Sequence, residues 1–213
     1  MAGSLGLIVT MAIHPTSAAS LSAYQLAHLS TLSGIAHSLA MVSVLVLFLG
    51  ACGLAQRTAA ADRFSFAGIV TFGFACVAVI IAAAVSGFVV PSIMNRMSGD
   101  VPEAAHQWRI VIYGIFQINQ AFAAIYSVGI SLAIILWSIS ALRNGGLGRG
   151  MAIYGCVIAP LIIVGIAARH VRFDVHGMMA VGLGQVVWFM IAGYQLTREP
   201  FLATARARPH ESA

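Results

Sequence analysis

Lysine is absent from this chain, and all eleven of its basic residues are arginine. That excludes a lysine Schiff base, and with it a retinal protein or a pyridoxal enzyme. Acidic residues are also scarce, six in 213. Charged residues make up only 8% of the chain, against about 25% in a soluble domain, which argues against a water-soluble fold. Cys52, Cys76 and Cys156 have no CxxC spacing and fall inside apolar runs, where a thiol acts as a small hydrophobe. No Lys/Arg-bearing segment precedes the first apolar run, so that run reads as a retained helix, not a cleaved signal peptide. The basic residues form no stripe interleaved with aromatics, which speaks against nucleic acid as a partner. The net charge of +5 fits anchoring to anionic lipid at a cytoplasmic membrane face.

What the chain has in abundance is apolar sequence, 60% of all residues. No charge lies between Tyr24 and Arg57, and about 20 apolar residues suffice to span a bilayer core. Six apolar runs follow one another, at residues 4–13, 26–54, 64–90, 108–142, 150–168 and 175–196. The expected fold is therefore all-α, a polytopic membrane bundle of about six transmembrane helices. Residues 1–196 form one transmembrane domain, and residues 197–213 are expected to be a polar, disordered cytoplasmic tail. The first run is short for a span. Pro91 is predicted to close the third helix, since it cannot continue the hydrogen-bond ladder. Residues 92–107 then form the longest loop. Pro160 predicts a kink in the fifth helix.

Six helices put both termini on one side. That side holds Arg57, Arg63, Arg143, Arg149, Arg198, Arg206 and Arg208, and the other holds Arg96, Arg109, Arg169 and Arg172. The positive-inside bias makes the first side cytoplasmic. The expected location is a bacterial inner membrane, with the lipid bilayer as the first partner.

Six histidines, His14, His28, His37, His106, His170 and His176, fall at the opposite, outer side. His37 lies within its apolar run and His176 opens the last one. An ionisable side chain there is costly and turns inward. Neutral imidazole is a common metal ligand, and imidazole with thioether suits copper or haem iron. His37 and His176 are the leading candidates for a copper, zinc or haem site, with His14 and Met179 next. Ser33, one turn before His37, and Asp174, two residues before His176, are the candidates to hold the second ring nitrogens. The bland alternative is histidines solvated at the headgroup level. Asn119 and Gln185, with Gln117 and Gln120, are amides in hydrocarbon, which must find partners. Inter-helix hydrogen bonds are the first reading, and a substrate or quinone contact is the sharper one.

Two resemblances add to this. Ser33-Gly-Ile-Ala-His37 resembles the Ser-x-x-x-His element of intramembrane zinc hydrolases of the ceramidase and progestin-receptor type, in which zinc-bound water attacks an amide. The His-x-x-x-His element of their last helix is missing, since Gly-Met-Met-Ala180 follows His176. More broadly, His14-Pro15, Ala36-His37, Gly50-x-x-Gly53-Leu54, Pro91, Asn119-Gln120-Ala121-Phe122, Leu136-Trp137-Ser138 and His176-Gly177 before Trp188 resemble a family of small bacterial multi-pass membrane proteins of unknown function. That resemblance implies a six-helix bundle in a bacterial inner membrane and no particular activity. Three functional classes remain open: a metal- or haem-binding membrane protein, a non-enzymatic accessory or assembly subunit packing against another membrane protein, and a zinc-dependent membrane hydrolase.

Overall fold

The computed structural model describes residues 1–13, 23–57, 62–97, 102–171 and 175–206. Among them every regular element is a helix. These are α1 (Ala2–Ile13), α2 (Ala23–Arg57), α3 (Arg63–Met97), α4 (Pro102–Asn144), α5 (Arg149–Ala167) and α6 (Val175–Arg206). Five contain stretches long and apolar enough to cross a membrane, and α1 is shorter. At 1.5 Å per residue α1 reaches about 18 Å, less than the ~30 Å hydrocarbon core. The protein is a helical membrane bundle. Leu49 and Phe74 are more than 70% exposed, which lipid tolerates and water does not.

Neighbours pack antiparallel, and the packing turns on residues without side chains meeting large ones. A Cβ on Gly68 of α3 would come within 2.7 Å of the Trp137 indole nitrogen of α4. A Cβ on Gly155 of α5 would meet Ser138 of α4 and come within 2.5 Å of the Trp188 indole nitrogen of α6. These contacts seat an aromatic core. Trp137 and Trp188 stack at 5.9 Å, and Phe72 and Phe189 lie 5.6 and 6.1 Å from Trp137. Both tryptophans are fully buried. Without a hydrophobic drive between helices in lipid, close backbone approach and dispersion hold such an interface.

At the Arg57 end α3 begins on a side-chain cap and the α4–α5 turn runs through glycine. Asp62 caps α3 by accepting the Ser65 N–H at 3.3 Å, and the Ser65 hydroxyl donates to Ala55 O at 3.0 Å. Gly145 and Gly146 carry φ of 78° and 90° between α4 and α5, a left-handed path that suits glycine. At the other end α5 closes with Arg169 at φ 57°. Its N–H bonds Ile166 O, and His170 N–H bonds Gly165 O at 2.9 Å, a Schellman closure built on arginine instead of the usual glycine.

The described helices differ from the sequence expectation at three places. Pro91 does not end α3. The helix passes through a π-helical turn, Val85–Val89, and continues as Val90–Met97. The wider turn takes the proline ring without the clash that would break an α-helix. The expected loop at 92–107 is therefore helical on both sides, because α4 already starts at Pro102. Helix α6 runs past Leu196 to Arg206, so it enters the segment assigned to the tail. Pro160 lies inside an unbroken α5.

Candidate site at His37

His37 is 7% exposed, and the side it shows to α3 fits the π-helical turn. A Cβ on Gly87 would come within 2.5 Å of the His37 Cβ, so only glycine lets α2 approach so closely. The His37 Nδ1 lies 2.7 Å from Ser33 O and 3.3 Å from Ser33 Oγ. A carbonyl only accepts, so Nδ1 carries the hydrogen; in a neutral imidazole Nε2 is then the acceptor nitrogen. Ser33 Oγ donates in turn to Ser86 O at 3.4 Å.

The last bond follows from the proline. Val90 N–H bonds Val85 O, five residues back. In that register the donor for Ser86 O is residue 91, and Pro91 has no N–H. The carbonyl is thus left without a backbone donor inside the membrane, where an unsatisfied group costs several kcal/mol. The hydroxyl of Ser33, on the neighbouring helix, serves it. His37, Ser33 and the π-helical turn form one hydrogen-bonded unit, and the expected Ser33 partnership of His37 is present.

The other expected ligands do not join it among the described residues. His14 and Asp174 lie outside them. His176 is on the first turn of α6, with its side chain outside the described residues. Met179 is 43% exposed on α6. Among the described residues no group of three or more His, Cys, Asp or Glu converges as a metal shell. His28, His106 and His170 are exposed.

The amides separate into two sets. Gln185 is 2% exposed, and its Nε2 donates to Ser127 O and Ser131 Oγ of α4, both at 2.9 Å. Gln185 thus bonds a carbonyl and a hydroxyl of α4, and Asn119 stands apart from them. Asn119 lies eight residues, or about 12 Å, before Ser127 on the same helix, and its Oδ1 is buried with no partner. Gln120 is half-buried and Gln117 exposed. Sequence reasoning missed Ser127 and Ser131 as partners of the glutamine. Their i, i+4 spacing in an apolar helix was the available signal. It also missed Ser86, because a backbone carbonyl becomes an acceptor in need only when the helix register is known.

Compared with known families, curated proteins and solved structures, the chain matches none.

Proposed function

We propose that this is a multi-pass protein of a bacterial inner membrane, with both termini cytoplasmic, that takes a transition metal or haem at His37 near the outer face. One observation carries the reading. His37 is a buried, ionisable side chain in a membrane helix, with its Nδ1 fixed on a backbone carbonyl. That is how a ligating imidazole is held so that Nε2 faces the ion, and an ionisable residue at such a place is a functional site by default. Two further facts support it. Helices α1, α2 and α6 are mutual neighbours. With Gly6 against Ser43, α1 runs antiparallel to α2 and brings Ile13 roughly level with Ala36, seven residues along each helix. His14 follows Ile13 in sequence and His176 opens α6, so both are candidates to complete the shell.

The test is metal analysis and an absorption spectrum on the purified protein, followed by titration with copper, zinc and haemin. The expected result is one ion or haem per chain, with affinity at least tenfold weaker in His37→Ala, the scale for losing a ligand or its support. A wild-type protein that takes up none of the three overturns the proposal. The Ser33–His37 contact favours a second reading, the zinc hydrolase. Stoichiometric zinc together with amide hydrolysis lost in Ser33→Ala would select it.

A further inference from the structure

Helix α3 runs for 35 residues and α5 for 19, about 52 and 28 Å at 1.5 Å per residue. Both have one end at the Arg57 side, so α3 reaches well past α5 on the His37 side. Arg63 and Arg96 stand near the two ends of α3, roughly 50 Å apart. A bilayer with its headgroups is about 40–45 Å thick, and membrane helices tilt by about 20° on average. With Arg63 among the headgroups of one leaflet, Arg96 comes level with those of the other.

A pocket of about 360 Å³ opens beside Arg96, between the end of α3 and the start of α4. Phe88, Val89, Ser92, Ile93 and Arg96 of α3 line it, with Trp108 of α4. Polarity rises along its wall. Phe88 and Val89 lie deepest in the bilayer and are 48% and 42% exposed. Ser92 is about one turn beyond Phe88 and Arg96 one turn beyond Ser92, which puts the three on one face. Both polar residues are exposed. Trp108 stands at the headgroup level, where indole is favoured. Among the described residues no carboxylate lines the pocket.

We propose that this pocket holds an acidic phospholipid of the leaflet at the His37 end. Its phosphate sits on the Arg96 guanidinium and the Ser92 hydroxyl, and its first chain methylenes lie over Phe88 and Val89. Guanidinium takes phosphate through two parallel N–H bonds, and a hydroxyl adds a third donor. The apolar floor below them matches the order of groups in a lipid, chain beneath headgroup. A free phosphate would use Arg96 and Ser92 and leave that floor bare. A zwitterionic headgroup would bring its own cation up to the guanidinium.

The three tryptophans supply the test, since Trp137 and Trp188 are fully buried in the core and Trp108 lines the pocket. The full-length protein is placed in phosphatidylcholine nanodiscs that contain a minor share of phosphatidylglycerol brominated near the headgroup. Quenching of tryptophan fluorescence is compared with that from the same share of brominated phosphatidylcholine. Phosphatidylglycerol should associate about fivefold more strongly, the scale for one basic residue at an anionic surface. Trp108→Phe should remove the quenching, and Arg96→Gln should reduce phosphatidylglycerol to the level of phosphatidylcholine. Equal quenching by the two lipids in the unaltered protein overturns the proposal, as does a phosphatidylglycerol excess that survives Arg96→Gln. An excess erased by millimolar inorganic phosphate would assign the pocket to a free anion and overturn it too.

Discussion

At the Arg57 end side-chain contacts tie neighbouring helices together, and at the His37 end the helices run on to unequal lengths. The Arg143 and Arg63 guanidinium groups both sit over the Phe64 ring, at 5.1 and 5.3 Å. Gly148 N–H donates to Gln195 at 2.8 Å, joining the α4–α5 turn to α6. Below this, the tryptophan core is packed so closely that glycines are its contact points. At the His37 end α5 stops while α2, α3 and α4 continue. The polar groups there include His37, Ser33 and the freed carbonyl of Ser86, which form one hydrogen-bonded unit. The difference follows from what each end can use to satisfy its backbone. The Arg57 end uses the Asp62 cap on α3 and positive-φ glycines between α4 and α5. The His37 end keeps helices running through a proline, and so needs a neighbouring hydroxyl to serve the carbonyl that the proline orphans.

The largest expected effect comes from making one substitution at both ends. Gly155→Ala puts a methyl group against Ser138 and Trp188 and should destabilise by about 1–3 kcal/mol. Gly114→Ala meets open space and should be neutral or stabilise by up to ~1 kcal/mol. Unfolding in detergent with the protein monomeric measures both, and equal losses would erase the contrast between the ends. Next is Gln185→Leu. It removes two hydrogen bonds in the packed half, at ~0.6 kcal/mol each in membrane proteins. A loss of about 1 kcal/mol is expected, and no loss would mean that the bonds Ser127 and Ser131 already make along their own helix suffice without the glutamine.

At the His37 end the decisive experiment is a cycle. Ser33→Ala should cost about 1 kcal/mol. In a Pro91→Ala background, where residue 91 regains its N–H, the same change should cost less, with a coupling of at least ~0.5 kcal/mol. Equal costs in the two backgrounds would refute the link between proline, carbonyl and serine. The smallest effect belongs to the Arg57 end. Hydrogen bonding from Ser140, with help from the Ser65 and Phe64 N–H groups and the Arg143 charge, outweighs desolvation and lowers the Asp62 pKa below 3.8. A carboxylate with a depressed folded pKa stabilises the fold above its unfolded value and loses that contribution as pH falls through the folded one. Melting curves should therefore show a small decline below about pH 4 that Asp62→Asn abolishes. An identical decline in the variant would assign it elsewhere.

Much of this architecture was legible in the residues. The apolar run from Gln25 to Leu54 and the glycine turn after Arg143 follow from local chemistry, and local chemistry is in the sequence; the Asp62 cap, equally local, was not read there. The reading failed at Pro91, where the local rule was right about the missing N–H and wrong about its consequence. A helix with a serine on its neighbour at the right height need not stop. The candidate site was half legible for the same reason. Ser33 and His37 lie one turn apart on one helix, so their contact could be read directly. The Gln185 partners lie on another helix, and which of its polar residues comes level depends on how two rods are registered.

The sequence by itself determined that this chain belongs in a membrane, that it folds as helices, and that His37 and Ser33 share a face. Those properties come from composition, run length and the 3.6-residue period. The tertiary structure alone decided that Trp137 meets Trp188, that Gln185 reaches Ser127 and Ser131, and that the Ser86 carbonyl needs Ser33. Each of these depends on the height at which one helix stands against another. In lipid that height is set by which glycine admits which large side chain, a fit between surfaces far apart in the chain.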